Sequence, residues 1–140
     1  MAAATTDQFN EFKAVWDTGA INTVISQKVI NENRLNRIDQ VINHTANGER
    51  IADVYLVDLI LPNDEIGFHS LRVTDADMTS TDVLIGMDII CSGDFAISNK
   101  NDKTIFSYQY PSTHTTDFDM ENRRIRGYKN PSQQQKRTRK

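Results

Sequence analysis

Residues 14–26, Ala-Val-Trp-Asp-Thr-Gly-Ala-Ile-Asn-Thr-Val-Ile-Ser, set Asp17, Thr18, Gly19 and Ala20 between two apolar, β-branched runs. A carboxylate in such surroundings is costly to bury unless it is hydrogen-bonded or serves a purpose. The chemistry open to it is proton transfer, and the plain structural alternative is a turn acid or strand-end cap. No other group of polar residues competes with it. His44, His69 and His114 lie far apart without metal-ligand spacing. Asp75, Asp77 and Asp82 lack the glycine and terminal glutamate of a calcium loop and read as a solvated loop. The single cysteine, Cys91, excludes an internal disulfide and a cysteine-based metal cluster. Between Ile90 and Ser92 it is expected to be a small buried hydrophobe. No metal and no cofactor is expected.

The elements that must position Asp17 are mostly strands. Phe9, Phe12, Val15 and Trp16 make residues 9–16 a predicted strand ending at the Asp-Thr-Gly turn, and residues 23–26 form a second, short one. Residues 27–35 suggest a helical turn or a loop. Two half-strands between Ile38 and Ile51 flank Asn47-Gly48, the strongest short hairpin signal, so a long hairpin is predicted with its tip near Asn47. Its second arm continues into residues 54–61, apolar on both sides apart from Asp58, as in a strand covered on both faces. After a turn at 62–65 comes a strand over 66–75. Residues 83–86 are a short buried strand closed by glycine, followed by one or two helical turns ending at Gly93. Two further strands lie about residues 99–103. Trp16 and Tyr55 are predicted core. Many strands at short spacing with one or two brief helices predict an all-β fold, a small closed or nearly closed β-barrel.

With 140 residues, 38% of them hydrophobic, the chain suits one domain. No apolar run spans a membrane and the first residues lack the pattern of an export signal, so a cytoplasmic protein is expected. The net charge of −3 is unevenly spread: residues 1–120 hold 8 Lys/Arg against 18 Asp/Glu, and residues 121–140 hold 8 against 1. The basic tail carries no aromatic interleaving or nucleic-acid module, so it reads as a solvated, disordered segment rather than a nucleic-acid site.

Apolar-apolar-Asp-Thr-Gly-Ala, then Thr23-Val24-Ile25-Ser26, then an Asn-Gly hairpin about thirty residues on, then Leu84-Ile85-Gly86 before a short helix, resembles the retropepsin-like aspartic proteases. The likeness runs over roughly residues 12–110. It implies a retropepsin-like barrel over residues 9–111, with a flexible N-terminus at 1–8 and the disordered basic tail at 112–140. It also implies that Asp17 is the catalytic aspartate. By the same likeness Thr18 braces the partner's loop across a twofold axis, Gly19 lets substrate approach closely and Ala20 completes the loop. Thr45, Ala46, Asn47 and Gly48 match the flap that folds over a bound peptide. Leu84, Ile85 and Gly86 match the strand supporting the aspartate loop.

The mechanism that the resemblance implies needs two carboxylates sharing one proton, and the chain has one Asp-Thr-Gly and is too short for two lobes. The second Asp17 is therefore expected from a homodimer partner, with a peptide or protein as substrate and best activity at acidic to mildly acidic pH. Ile21 and Met87 stand where retroviral members commonly have an acid and an arginine, so an apolar contact is expected in place of an ion pair. The flap tip is more polar than the retroviral one, with Glu49 and Arg50 either biasing substrate charge or solvated. His44 is the histidine nearest that tip. The reading from a different class is a catalytically weak or inactive dimeric peptide-binding module with the same fold.

Overall fold

The computed structural model describes residues 9–45, 48–62 and 66–125. Strand β1 (Ala14–Trp16) leads into the Asp17 loop, and β2 (Val24–Ile25) leaves it. Helix α1 (Gln27–Glu32) follows, its first turn capped by the Ser26 side chain, which accepts from the Val29 amide. The long hairpin is β3 (Asp39–Thr45) and β4 (Gly48–Ile60), and β5 (Gly67–Asp75) returns along β4. Then come β6 (Val83–Ile85), helix α2 (Met87–Ile90), the hairpin β7 (Asp94–Lys100) with β8 (Lys103–Gln109), and helix α3 (Phe118–Ile125). The all-β class expected from the sequence is the one observed.

Six strands form one sheet in the order β1-β6-β2-β5-β4-β3, and β7 with β8 forms a second. The central feature is β6, which pairs parallel with β1 (Trp16 opposite Ile85) and antiparallel with β2 (Ile25 opposite Val83). β2 in turn pairs parallel with β5, Ile25 opposite Asp75. The core packs Ile25, Val29, Ile30, Tyr55, Leu61, Val73, Val83, Ile85 and Ile89 against one another. Trp16 lies against this core and meets Phe95 edge-on and Phe106 and Tyr108 at a tilt, at ring separations of 5.8, 5.2 and 4.9 Å, which joins the β7–β8 hairpin to the main sheet. The Tyr108 hydroxyl donates to the Ile89 carbonyl at 2.9 Å, and burial pushes its phenol above the usual value.

Several expectations are corrected. The first strand is only Ala14–Trp16, because β6 has three residues to offer. Before it, the Lys13 carbonyl accepts from the Asp82 and Val83 amides and from the Thr81 hydroxyl, and the Lys13 amide donates to the Asp82 carboxylate. That amide holds Asp82 below the usual carboxylate range. In β4 only the stretch 52–55 approaches burial on both faces, whereas Leu56 is exposed. Cys91 is exposed as the C-cap of α2, since Ile89 and Ile90 take the inward positions. Within the segment expected to be unstructured, residues 118–125 are helical. The Asp117 carboxylate accepts from the Asp119 and Met120 amides, and Asp119 pairs with Arg123 one turn on. That helix buries no residue. Residues 1–8 and 126–140, which include the expected flexible N-terminus and most of the basic tail, lie outside the described residues. No helix among the described residues is long and apolar enough to cross a membrane.

Candidate active site

Asp17 sits where β1 gives way to a tight loop on the supporting strand. Its amide donates to the Ile85 carbonyl at 2.9 Å, extending the β1–β6 ladder by one bond. The Ala20 amide closes the turn onto the Asp17 carbonyl at 3.2 Å, and the Gly19 amide donates to Asp17 Oδ1 at 2.8 Å. Among the described residues that amide is the one hydrogen-bond donor to the carboxylate, and no cation pairs with it. Asp17 is half-buried and Thr18 and Gly19 are exposed. The loop therefore presents a lightly solvated carboxylate on a backbone fixed at both ends.

The far end of the loop is held by α2. The Met87 amide donates to the Ala20 carbonyl at 2.8 Å and the Asp88 amide to the Ile21 carbonyl at 3.1 Å. A side-chain unit completes the attachment. Asp88 Oδ2 accepts from the Thr23 amide at 2.9 Å, and Asp88 Oδ1 accepts from the Thr23 hydroxyl at 2.8 Å and the Ile89 amide at 2.9 Å. Thr23 is fully buried, and its Oγ1 accepts in turn from the Gly86 amide at 3.2 Å. Gly86 lies so close to the loop that a Cβ there would stand 2.5 Å from the Asn22 carbonyl carbon and 2.9 Å from the Thr23 nitrogen. Only glycine permits that approach.

Asp17, Thr18, Gly19 and Ala20 are thus brought onto Leu84, Ile85 and Gly86. The sequence reading carried Thr23 in the motif without giving it a role and missed Asp88, although an acid two residues after Gly86 at the first turn of a helix was a visible signal. Ile21 and Met87 are not bonded to each other through the backbone, since the Met87 amide goes to Ala20 and the Asp88 amide to Ile21, and the Ile21 side chain is 80% exposed. An acid does secure the loop, from the residue after Met87, as Asp88.

The hairpin expected over the site is present as β3 and β4, paired up to Thr45 opposite Gly48. Gly48 has a φ of 112°, a conformation side-chain-bearing residues rarely adopt. Ala46 and Asn47 lie outside the described residues. His44 is exposed and faces Glu49 across the hairpin at 3.4 Å. Arg50 is not freely solvated: it pairs with Asp75 at 3.0 Å. Asp75, read as part of a solvated loop, is 7% exposed and ends β5. Between hairpin and loop lies a depression of about 220 Å³ lined by Asn22, Val41, Val54, Arg72, Val73 and Thr74. Among the described residues no group of three or more His, Cys, Asp or Glu could hold a metal ion.

The family model described as "gag-polyprotein putative aspartyl protease" matches residues 5–91. A crystal structure described as a retropepsin-like aspartic protease from Rickettsia conorii is 18% identical, with a TM-score of 0.40, over 65% of this chain and 69% of that one. No curated protein matches.

Proposed function

Since the chain belongs to the gag-polyprotein putative aspartyl protease family, we propose that it is an aspartic endopeptidase acting as a homodimer, with one Asp17 from each subunit. The observation that carries this reading is the Asp17 carboxylate itself, which among the described residues has a single amide donor on Oδ1 and no cation beside it. A carboxylate neutralised by an ion pair would be a poor base, whereas this one keeps Oδ2 for a water or a second carboxyl.

In the proposed reaction the paired carboxyls hold one proton and one water between them. One carboxylate takes a proton from the water as its oxygen attacks the peptide carbonyl carbon. The other carboxyl donates its proton to the carbonyl oxygen, so a neutral gem-diol forms. On collapse the first carboxyl gives its proton to the leaving nitrogen, the C–N bond breaks, and one gem-diol hydroxyl returns its proton to the second carboxylate, which leaves the acid and amine products and restores the shared proton. The β3–β4 hairpin lies over an extended substrate, excludes bulk water and pairs with the peptide backbone in strand fashion.

The test is Asp17→Asn. Asparagine keeps an oxygen for the Gly19 amide, so the fold should persist while cleavage of a diverse peptide mixture between pH 3 and 8, read by mass spectrometry, is abolished. Undiminished cleavage by the variant would refute the proposal. Mass in solution tests the dimer alongside.

A further inference from the structure

Asn43 of β3 and Arg50 of β4 are directly opposed in the hairpin ladder, and both side chains reach the end of β5. Asn43 Nδ2 donates to Thr74 Oγ1 at 3.3 Å, and Arg50 Nη2 donates to Asp75 Oδ2 at 3.0 Å. Asp75 is a built receptor for that guanidinium. Its Oδ1 accepts from the Asp53 amide at 2.8 Å, and its Oδ2 also accepts from Gln27 Nε2 at 3.1 Å. Thr74 and Asp75 are also the residues that pair with Val24 and Ile25, and the Thr74 amide donates to the Thr23 carbonyl at 3.3 Å. One rung of the hairpin is thus fastened, through two consecutive residues, to the strand that emerges from the Asp17 loop.

The fastening matters because of where it falls. β3 is the last strand of the sheet, and beyond the Asn43–Arg50 rung the described pairs are His44 with Glu49 and Thr45 with Gly48. Arg72 of β5 ties the base of the arm through Asp39 at 3.0 Å, the Asn43–Arg50 rung ties it farther out, and a small change in tilt at that rung is multiplied toward the tip. Arginine suits the task, since its planar fork fixes direction as well as distance.

We propose that Asn43, Arg50 and Asp75 are positioning residues that set the inclination of the β3–β4 hairpin over Asp17. The inference rests on the endopeptidase reading for its catalytic consequence, though not for its mechanical one. The Asp75 receptor stays anchored by Asp53 and Gln27 when Arg50 is changed, so Arg50→Gln should leave the body of the sheet in place. Asp75→Asn keeps an acceptor for the Asp53 amide and removes the charge that Arg50 answers.

Two measurements on the full chain decide it. In amide hydrogen exchange read by mass spectrometry, the peptide covering residues 42–51 should exchange about tenfold faster in Arg50→Gln and faster again with Asn43→Ala added, while residues 67–75 stay unchanged. Equal protection of 42–51 in wild type and variants overturns the proposal. With a peptide that the wild type cleaves, Arg50→Gln should raise KM several-fold with kcat within about twofold, and Arg50→Lys should recover part of the loss. Loosened exchange with KM unmoved also overturns it, because the hairpin would then be held without consequence for substrate. A wild type that cleaves nothing sinks the endopeptidase reading and leaves exchange to decide the fastening.

Discussion

Replacing Thr23 by valine is the sharpest probe of how the Asp17 loop is held. Valine matches threonine in shape, and Thr23 is fully buried, so the change removes a hydroxyl without opening a cavity. Two interactions go with it: the donation to Asp88 Oδ1 at 2.8 Å and the acceptance from the Gly86 amide at 3.2 Å. A hydrogen bond to a charged group contributes about 1.5–3 kcal/mol, and a buried amide left without an acceptor costs about 1–3 kcal/mol. Asp88 keeps the Thr23 and Ile89 amides and the valine methyl gains some burial, so the expected loss is about 3 kcal/mol rather than the sum of the upper bounds. Urea denaturation with linear extrapolation should show the midpoint falling at constant slope. Thr23→Ser, which keeps the hydroxyl and gives up one methyl, should lose only about 1 kcal/mol. A double-mutant cycle with Asp88→Ala should return a coupling above about 1 kcal/mol. A Thr23→Val protein within about 0.5 kcal/mol of wild type, or a serine variant as damaged as the valine one, would refute the idea that this hydroxyl ties the loop to α2.

Gly86→Ala should destabilise by about 1–3 kcal/mol or more, because the new methyl meets Asn22 and Thr23 backbone atoms that cannot swing aside; a melting temperature equal to wild type would contradict the packing described. Asp94 makes a pH prediction. Donation from the Ser112 hydroxyl, then from the Thr113 and His114 amides, lowers its pKa to about 2 from an ordinary 3.8. A carboxylate with a depressed folded value gives its full contribution above the unfolded value and loses it as pH falls through the folded one. Exchange protection at Thr113 and His114 should therefore hold above pH 4, decline toward pH 2, and be absent at all pH values in Asp94→Ala, which removes the acceptor; protection that ignores pH in the wild type would contradict this.

Much of the site was legible in the sequence because its parts are local. Asp17-Thr18-Gly19-Ala20 lies between runs whose residue types demand strands, and Leu84-Ile85-Gly86 announces a buried strand with a close approach at its end. The β3–β4 pairing follows from Asn47-Gly48. What escaped depends on partners far along the chain. The Thr23–Asp88 unit joins residues 65 apart, and neither residue type signals the other at that range. Asp75 looked solvated beside Asp77 and Asp82 because its three donors come from α1 and β4. Lys13 looked like strand because nothing local says that its carbonyl is taken by residues 81–83. The helix at 118–125 has its capping aspartate and paired ends in plain view, and was obscured by the basic residues that follow.

The insertion of β6 between β1 and β2 also dictates when the site can come into being. β1 and β2 flank the Asp17 loop, yet they do not touch each other; a strand some sixty residues downstream fills the gap between them. Closing a loop of that length is a slow, entropically opposed event compared with forming the β3–β4 hairpin. A nascent chain that has emerged only as far as β5 carries Asp17, Thr18 and Gly19 without a site. Assembly of the Asp17 loop is thereby deferred to a late stage of folding, after the β3–β4 hairpin has had time to form.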